Sequence, residues 1–394
     1  MRILMIAPEP FFEPRGTPFS EYHRIRALTE LGHDVVLVTY PFGRDVAMTR
    51  LTIHRSWRPP FARRVRVGPS FLKILLDLLL AVKAAHIASR GPYDLVHSHE
   101  EGGAIGLVLA RMLGVPHLYD MHSSLPEQLS NFGATRSRMV TGAFQWLENR
   151  LISRSAAIIV ICRHLEEHVR RLHPAARVVL IENAPGSLDN ESAGDPASVR
   201  VDAGIALDAP LVLYTGTFEA YQGLDLLYRS MRTVRERLPA ARLLLVGGQP
   251  EQVARAREDA RRAGVEDVTH FTGERPAGEI SQYLAAADVL ASPRSRGTNT
   301  PLKIYQYLRA GRPIVATNLV THTQVLGPEV AMLTDPTPDA FAEGLVMVLA
   351  DRILADRLGR NARRLADTRY TYGAYLARTK QALDHVHPSQ EQVA

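Results

Sequence analysis

Short apolar runs rich in β-branched residues recur along the chain, separated by longer stretches whose apolar positions repeat every three to four residues. In the first half the runs are RILMIA (2–7), DVVLVTY (34–40), LVHSH (95–99), HLYDM (117–121), AAIIVI (156–161) and RVVLIEN (177–183). Between them the helical period holds over 18–31, 71–88, 102–113, 138–153 and 163–172. The rhythm restarts with PLVLYTG (210–216), RLLLVGG (242–248), VTHFTG (268–273), VLAS (289–292) and PIVAT (313–317), with helices predicted over 223–237, 250–263, 277–286 and 301–310. After residue 340 the pattern is helical to about 387. Runs this short and this continuously apolar read as strands covered on both faces, and strands alternating with helices make parallel βαβ units. The pattern therefore predicts two doubly wound, Rossmann-like α/β domains.

Between the two halves, APGSLDNESAGDPASVRVDAG (184–204) is rich in Gly, Ser, Asp and Pro and reads as a linker. The expected domains are 1–185 and 205–369, with a C-terminal helix near 370–387 able to pack back on the first. Two such sheets are expected to face each other across a cleft at the carboxyl ends of their strands, where ligands of this fold class bind. A chain of 394 residues is long enough for two such cores.

Charge changes the picture on one side only. Residues 1–185 hold 23 Lys and Arg against 16 Asp and Glu, and the rest hold 24 against 25. A basic first half fits either an anionic partner or a solubilising arginine-rich surface. The segment RSWRPPFARRVRVGPSFLKILLDLLLAVK (55–83) sets Arg55, Arg58, Arg63, Arg64 and Arg66 beside Trp57 and Phe61, ahead of an apolar helix. It fits the interface of an anionic bilayer, and it equally fits a core helix preceded by a solvated loop. Lys73, Asp77, Lys83 and His86 keep that helix from spanning a bilayer. MRILMIAPEP reads as a buried first strand rather than a signal peptide. No nucleic-acid-binding motif accompanies the basic run. The single cysteine, Cys162, excludes an internal disulfide framework, fits a reducing cytoplasm, and lies in an apolar context that makes it inert.

Candidate chemistry concentrates in RGTNTPLKIYQYLRAGRPIVAT (296–317), after the strand VLAS. Thr300 is expected to cap a helix with Pro301 at its first position, and Gly311 to end it in a left-handed cap. The helix start then presents the N–H groups of Leu302 and Lys303 at the strand ends. With the helix dipole and the Lys303 ammonium they make an anion site suited to a diphosphate, although the residues alone fit a plain capped helix as well. In the first half, Arg15-Gly16-Thr17-Pro18 opens a helix with Thr17 as cap and Phe19, Tyr22, Ile25 and Leu28 on one side. Gly16 permits close approach of a phosphate, as would any bare turn. His122 follows the strand HLYDM, two residues beyond Asp120 on the same side of the alternation. HSHEE (97–101) offers His97 and His99 on one strand face to a metal, but no further ligand spacing supports one.

These segments, in this order, resemble the retaining family 4 glycosyltransferases of the GT-B fold. The stretch 296–317 resembles the signature in which a Glu, seven residues and a second Glu precede an A-G-x-P-[IV]-[IV]-A turn. MRILMIAP with ELGHDVVLVTY resembles the opening strands, YDLVHSHE (93–100) the "D-[VI]-V-H-x-H" strand, and DMHSS (120–124) the active-site histidine strand. IENAP (181–185), YTGTFEAYQGLDLL (214–227) and FTGERPAGEISQYLAAADVLASP (271–293) resemble the segment before the linker, the phosphate loop and the base-recognition unit. The resemblance implies transfer of a sugar from a nucleotide-diphosphate sugar, UDP- or GDP-linked, to an acceptor hydroxyl on a carbohydrate or lipid-linked molecule. It also implies retention of configuration, no metal (no D-x-D motif occurs) and no cofactor. The implied reaction centre is His122, Asp120 and Lys303. The implied donor set is Gly16, Thr17, Thr217, Gln222, Arg275, Arg294, Arg296, Thr298, Asn299, Thr300, Leu302 and Gln306.

Four positions depart from the family pattern. Thr217 and Gln222 stand where the family has its diphosphate-binding Arg and Lys, and Thr298 and Gln306 where it has its two glutamates. Gln306 retains one acceptor and two donors for ribose hydroxyls. All four changes remove charge, so the diphosphate must be met by Lys303, Arg294 or Arg296 and by backbone near Gly16. A silent GT-B binding subunit is the first alternative, separated by turnover on a donor panel. A GT-B epimerase is the second; it needs acid–base carboxylates such as Glu9, Glu13, Glu100 or Glu101, and would act without acceptor. The expected location is the cytoplasm, at or near the inner face of the membrane.

Overall fold

The computed structural model describes residues 1–12, 16–63, 71–127, 138–182 and 194–387. Glu13, Arg15, Arg64 and Arg66 lie outside these ranges, as do 184–193 of the expected linker. The chain divides into two compact units, Met1–Asn183 with Gly373–Ala394, and Ala184–Tyr372.

The first unit is a seven-stranded parallel sheet, ordered β3-β2-β1-β4-β5-β6-β7. Its strands are β1 (Arg2–Ala7), β2 (Asp34–Thr39), β3 (Leu51–Arg55), β4 (Leu95–His99), β5 (His117–Met121), β6 (Ala157–Val160) and β7 (Val178–Leu180). Helices α1 (Gly16–Glu30), α2 (Phe71–Ala88), α3 (Gly102–Leu113), α4 (Arg138–Arg154) and α5 (Arg163–Leu172) cover it, and the last helix of the chain, α14 (Tyr372–Val386), belongs to this unit too. β1 and β2 begin in register at exposed Arg2 and Asp34 and then bury five residues each. That burial on both faces accounts for their apolar runs, whereas β4 and β5, equally buried, carry His97, His99, His117 and Asp120 into the interior. β3 escapes the sequence pattern because an edge strand is covered less, and LTIHR is accordingly only half-buried. Helix α1 starts at Gly16, so Thr17 lies within its first turn instead of capping it.

The second unit is a six-stranded parallel sheet, ordered β10-β9-β8-β11-β12-β13. It comprises β8 (Leu211–Thr215), β9 (Arg242–Val246), β10 (Thr269–Gly273), β11 (Val289–Ser292), β12 (Ile314–Thr317) and β13 (Met332–Thr334). Its helices are α6 (Pro196–Asp202), α7 (Leu224–Arg237), α8 (Pro250–Arg262), α9 (Ile280–Ala286), α10 (Leu302–Ala310), α11 (Val320–Thr323), α12 (Pro338–Ala350) and α13 (Arg352–Arg369). Two expectations are corrected. The later part of the presumed linker is helix α6, capped by the Asp195 carboxylate on the Ala197 amide and tied to the sheet by Arg200, which bonds Asp288 at 2.8 Å and the Ala209 carbonyl at 2.7 Å. Helix α10 is capped by Pro301 in extended conformation, one residue later than expected, so Thr300 lies in the preceding loop. Its far end is as read, with Gly311 at φ 66°. Both units are doubly wound Rossmann-like sheets, the fold class expected from the rhythm of the chain.

Candidate active site

In the second unit the order of strands reverses about β8 and β11, and the loops leaving their carboxyl ends meet there. The loop after β8 is held from both sides. The Tyr214 hydroxyl donates to the Thr217 carbonyl at 2.7 Å, and the Thr215 amide donates to the Tyr307 hydroxyl of α10 at 2.9 Å. Gly216 has φ 136°, and a Cβ there would lie 3.1 Å from Lys303 Nζ. Gly223, at φ 75°, closes the loop where a Cβ would overlap the Pro293 carbonyl. A side chain at position 223 would push apart two loops that this geometry brings together, and one at position 216 would crowd the Lys303 amine.

Lys303 sits beneath that loop. It is 8% exposed, and its Nζ lies 3.7 Å from the centre of the Tyr214 ring with no hydrogen-bond acceptor among the described residues. Burial, and secondarily the Arg294 guanidinium, hold the amine well below the usual lysine range. A buried amine facing a second cation favours an anion, which would supply the counter-charge that the protein does not. Arg294 is clamped by its own loop: Nε donates to the Arg296 carbonyl at 2.9 Å, Nη1 to the Asn299 carbonyl at 3.0 Å, and the guanidinium stacks on Tyr221. Thr321 of short α11 and Gln324 just after it brace the same loop, donating to the Asn299 and Thr298 carbonyls. Gln222 reaches Thr217 Oγ1 only at 3.5 Å, and its Oε1 is buried without a partner among the described residues. Thr300 Oγ1 is in the same condition. Leu302 and Lys303 open α10, and Gln306 follows one turn along the same face, half-buried. Thr217, Gln222, Arg294, Asn299, Thr300 and Lys303 are thus tied together by one pair of loops and one helix start. Arg296 is exposed. Arg275 lines a separate cavity of about 240 Å³ with Arg257, His270 and Tyr283, which none of the other donor residues line.

In the first unit the reversal falls between β1 and β4. Asp120, fully buried, is the hub: Arg24 Nε is 2.9 Å from one carboxylate oxygen and His122 Nε2 is 3.1 Å from the other. Burial alone would raise Asp120, but Arg24, and after it His122, hold it well below the ordinary carboxylate range. Burial pulls His122 down, but the charge and hydrogen bond of Asp120, with Glu100, together raise it, so its proton is held more tightly than usual. His97 and His99 stack on one another and are both lowered by burial. His97, His99 and Asp120 have ligand atoms within 4.8 Å of one another. Both Asp120 oxygens are nevertheless engaged by cationic groups, which oppose a metal ion at the same place. Glu100, at φ 49°, accepts from Ser123 at 2.9 Å. Glu9 is raised by burial and then by Glu21, and fully buried Glu21 by burial and then by Asp120. Gly16 and Thr17 stand at the start of α1, which carries Glu21 and Arg24.

Sequence reasoning missed Arg24, Glu21 and their supports. Arg24 also donates to Thr379 at 3.1 Å and stacks over Tyr375, both on α14. The available signal was a charged pair three residues apart in a helix otherwise burying Phe19, Ile25 and Leu28.

Two family models match the chain: "Glycosyl transferase 4-like domain" over residues 22–184 and "Glycosyl transferases group 1" over 197–365. A sulfoquinovosyl transferase of Arabidopsis thaliana is 24% identical over 79% of this chain, and the match spans 58% of that protein's length. A D-inositol 3-phosphate glycosyltransferase of Kribbella flavida is 26% identical over 71% of this chain and 69% of its own length. A phosphatidyl-myo-inositol mannosyltransferase of Mycobacterium tuberculosis is 24% identical over 91% of this chain and 90% of its own. Among solved structures, sucrose-phosphate synthase from Thermosynechococcus elongatus superposes with a TM-score of 0.79 at 20% identity, covering 99% of this chain and all of that one. Anabaena HepE in complex with UDP gives 0.74 at 17% identity, covering 98% of this chain and all of that one. At these identities the structures establish the fold, and the two models matched in sequence order establish the relationship: the chain belongs to the group 1 glycosyltransferases.

Proposed function

We propose that this protein transfers a sugar from a nucleotide-diphosphate sugar to an acceptor hydroxyl with retention of configuration and without a metal. The observation that carries this reading is the buried Lys303 amine beneath the Gly216 loop, without an acceptor of its own and joined by Arg294. Four charged family positions are neutral here, yet two cations stand at the same loops. Lys303 is brought up from α10 to the place that the sequence of the β8 loop leaves uncharged. In the reaction, the bond from the anomeric carbon to the diphosphate breaks as the acceptor oxygen bonds to the same face, and the acceptor proton passes to the departing diphosphate. Lys303, Arg294 and the first amides of α10 stabilise the charge that develops on that diphosphate. Gln306 bonds the ribose hydroxyls. In the first unit His122, whose proton Asp120 stabilises, is the proposed donor to a sugar hydroxyl.

The related HepE structures hold UDP and UDP-glucose, which favours a uridine donor here. The relative acting on phosphatidyl-myo-inositol favours a lipid-linked acceptor, met at an anionic membrane surface through the segment 55–83. No helix among the described residues is long and apolar enough to cross a membrane, so such contact would be peripheral. The test is turnover of UDP- and GDP-sugars with lipid-extract acceptors, followed by the anomeric configuration of the product. Transfer with retention supports the reading. Nucleotide binding without hydrolysis or transfer on any donor would make the chain a silent binding subunit instead.

A further inference from the structure

Helices α2, α3 and α4 pack side by side on one face of the first unit's sheet, and their outward sides share an unusual composition. On α2, Leu76, Leu80 and Ala84 are buried inward while Ile74, Leu78 and Val82 are more than half exposed. On α3, Val108 is exposed and Met112 is 74% exposed. On α4, Met139 is 86% exposed and Trp146 is 67% exposed. The three helices contain two acidic residues, and neither faces outward freely: Asp77 is bonded by the Tyr40 hydroxyl, and buried Glu148 holds His168 at 2.7 Å and the Leu125 amide at 2.8 Å. Outward charge is all positive, from Arg111 on α3 and Arg138, Arg150 and Arg154 on α4. Lys83 of α2 packs its ammonium over Trp57, which is itself exposed in the segment ahead of the helix.

We propose that the outer surface of α2, α3 and α4 is a docking face for an anionic lipid bilayer, larger than the segment 55–83. Scattered apolar residues on a surface need no explanation, but three adjacent helices whose outward sides pair large apolar side chains with basic residues, Lys83 on α2 and arginines on α3 and α4, do. An ordinary protein partner would be met by mixed charges, whereas a bilayer surface is uniformly anionic at its headgroups and apolar just beneath them. Met, Leu, Val and Trp side chains enter the headgroup layer, and the arginines remain at phosphate level. The starts of α2 and α3 are joined by the Lys73–Glu101 ion pair, next to Glu100 and the Asp120 cluster. A bilayer on this face therefore lies beside the Asp120 cluster of the first unit, so the proposal deepens the lipid-linked acceptor reading and rests on it for its purpose.

The experiment is cosedimentation of the full chain with vesicles of phosphatidylcholine alone or with added phosphatidylglycerol, with UDP-induced thermal stabilisation measured on the same samples. Wild type should sediment only with anionic vesicles. The variant V108Q/M112Q/W146Q should retain UDP stabilisation and lose at least tenfold in vesicle partitioning. R111S/R150S should lose roughly fivefold per arginine, and less at high salt. All of these substitutions lie outside 55–83, so a role for that segment alone predicts no loss and would overturn the proposal. Wild type binding neutral and anionic vesicles alike, or not at all, would also overturn it, as would dimers that both variants dissociate without any vesicle binding. Loss of UDP stabilisation in wild type would instead strike the donor reading and leave the vesicle result standing.

Discussion

Asp120 has no exposed surface, yet its carboxylate is ionised because Arg24 and His122 surround it. Removing one member of a buried ion pair leaves an uncompensated charge, so Arg24→Met should lower stability by about 3–5 kcal/mol in urea unfolding. Asp120 has a lowered folded-state pKa, so its contribution is present above its unfolded value near 3.8 and fades as pH falls through the folded one. His122 has a raised one, so its contribution is full below its unfolded value near 6.5 and fades as pH rises through the folded one. The pair therefore stabilises most between about pH 4 and 6.5. Asp120→Asn should flatten the stability profile across that window and drop the His122 titration, followed by NMR, below the ordinary histidine range. An unchanged His122 titration in the variant would separate the two groups. At Gln306, replacement by Glu should preserve or strengthen nucleotide binding, while Gln306→Leu should weaken it by about 1 kcal/mol, the worth of a neutral hydrogen bond. A Leu variant that binds a nucleoside diphosphate as well as wild type would remove Gln306 from the ribose.

Among elements, strands such as β1, β2, β8 and β9 were legible because both faces of a parallel sheet are buried, which writes apolar runs into the sequence. Where coverage thins the signal fails, as at edge strand β3 and three-residue β13. Helix α6 was hidden by its own polar composition. Its local signals, Asp195 before Pro196 and Gly204 after Asp202, were present and mark a cap, a first turn and an end. Helix α10 was placed correctly but its cap fell one residue late, because extended Pro301 caps by conformation without a side-chain bond. The loop that α10 faces depends on Gly223. Gly223→Ala meets both a φ of 75° and the Pro293 carbonyl. It should cost about 1–3 kcal/mol in unfolding free energy and weaken nucleotide binding together with stability. Full retention of both would show that the two loops are not held as described.

At the scale of the whole chain, the two halves and the family were readable from ordered motifs, but the assembly of each site was not. No local pattern connects Arg24 to Thr379 across most of the sequence, and only the fold of the first unit, with α14 inside it, brings them to 3.1 Å. In the second unit the sequence showed charge missing from the β8 loop and a lysine elsewhere; the fold shows that the lysine returns to that loop. Calorimetry measures what that relocated lysine contributes to diphosphate binding. Whichever of UDP, GDP and ADP stabilises the wild type is titrated into wild type and Lys303→Met, beside its nucleoside lacking phosphates. The variant should lose about 1–3 kcal/mol for the diphosphate, the worth of a charge-assisted hydrogen bond, and almost nothing for the nucleoside. Equal losses for both ligands, or undiminished diphosphate binding, would contradict it.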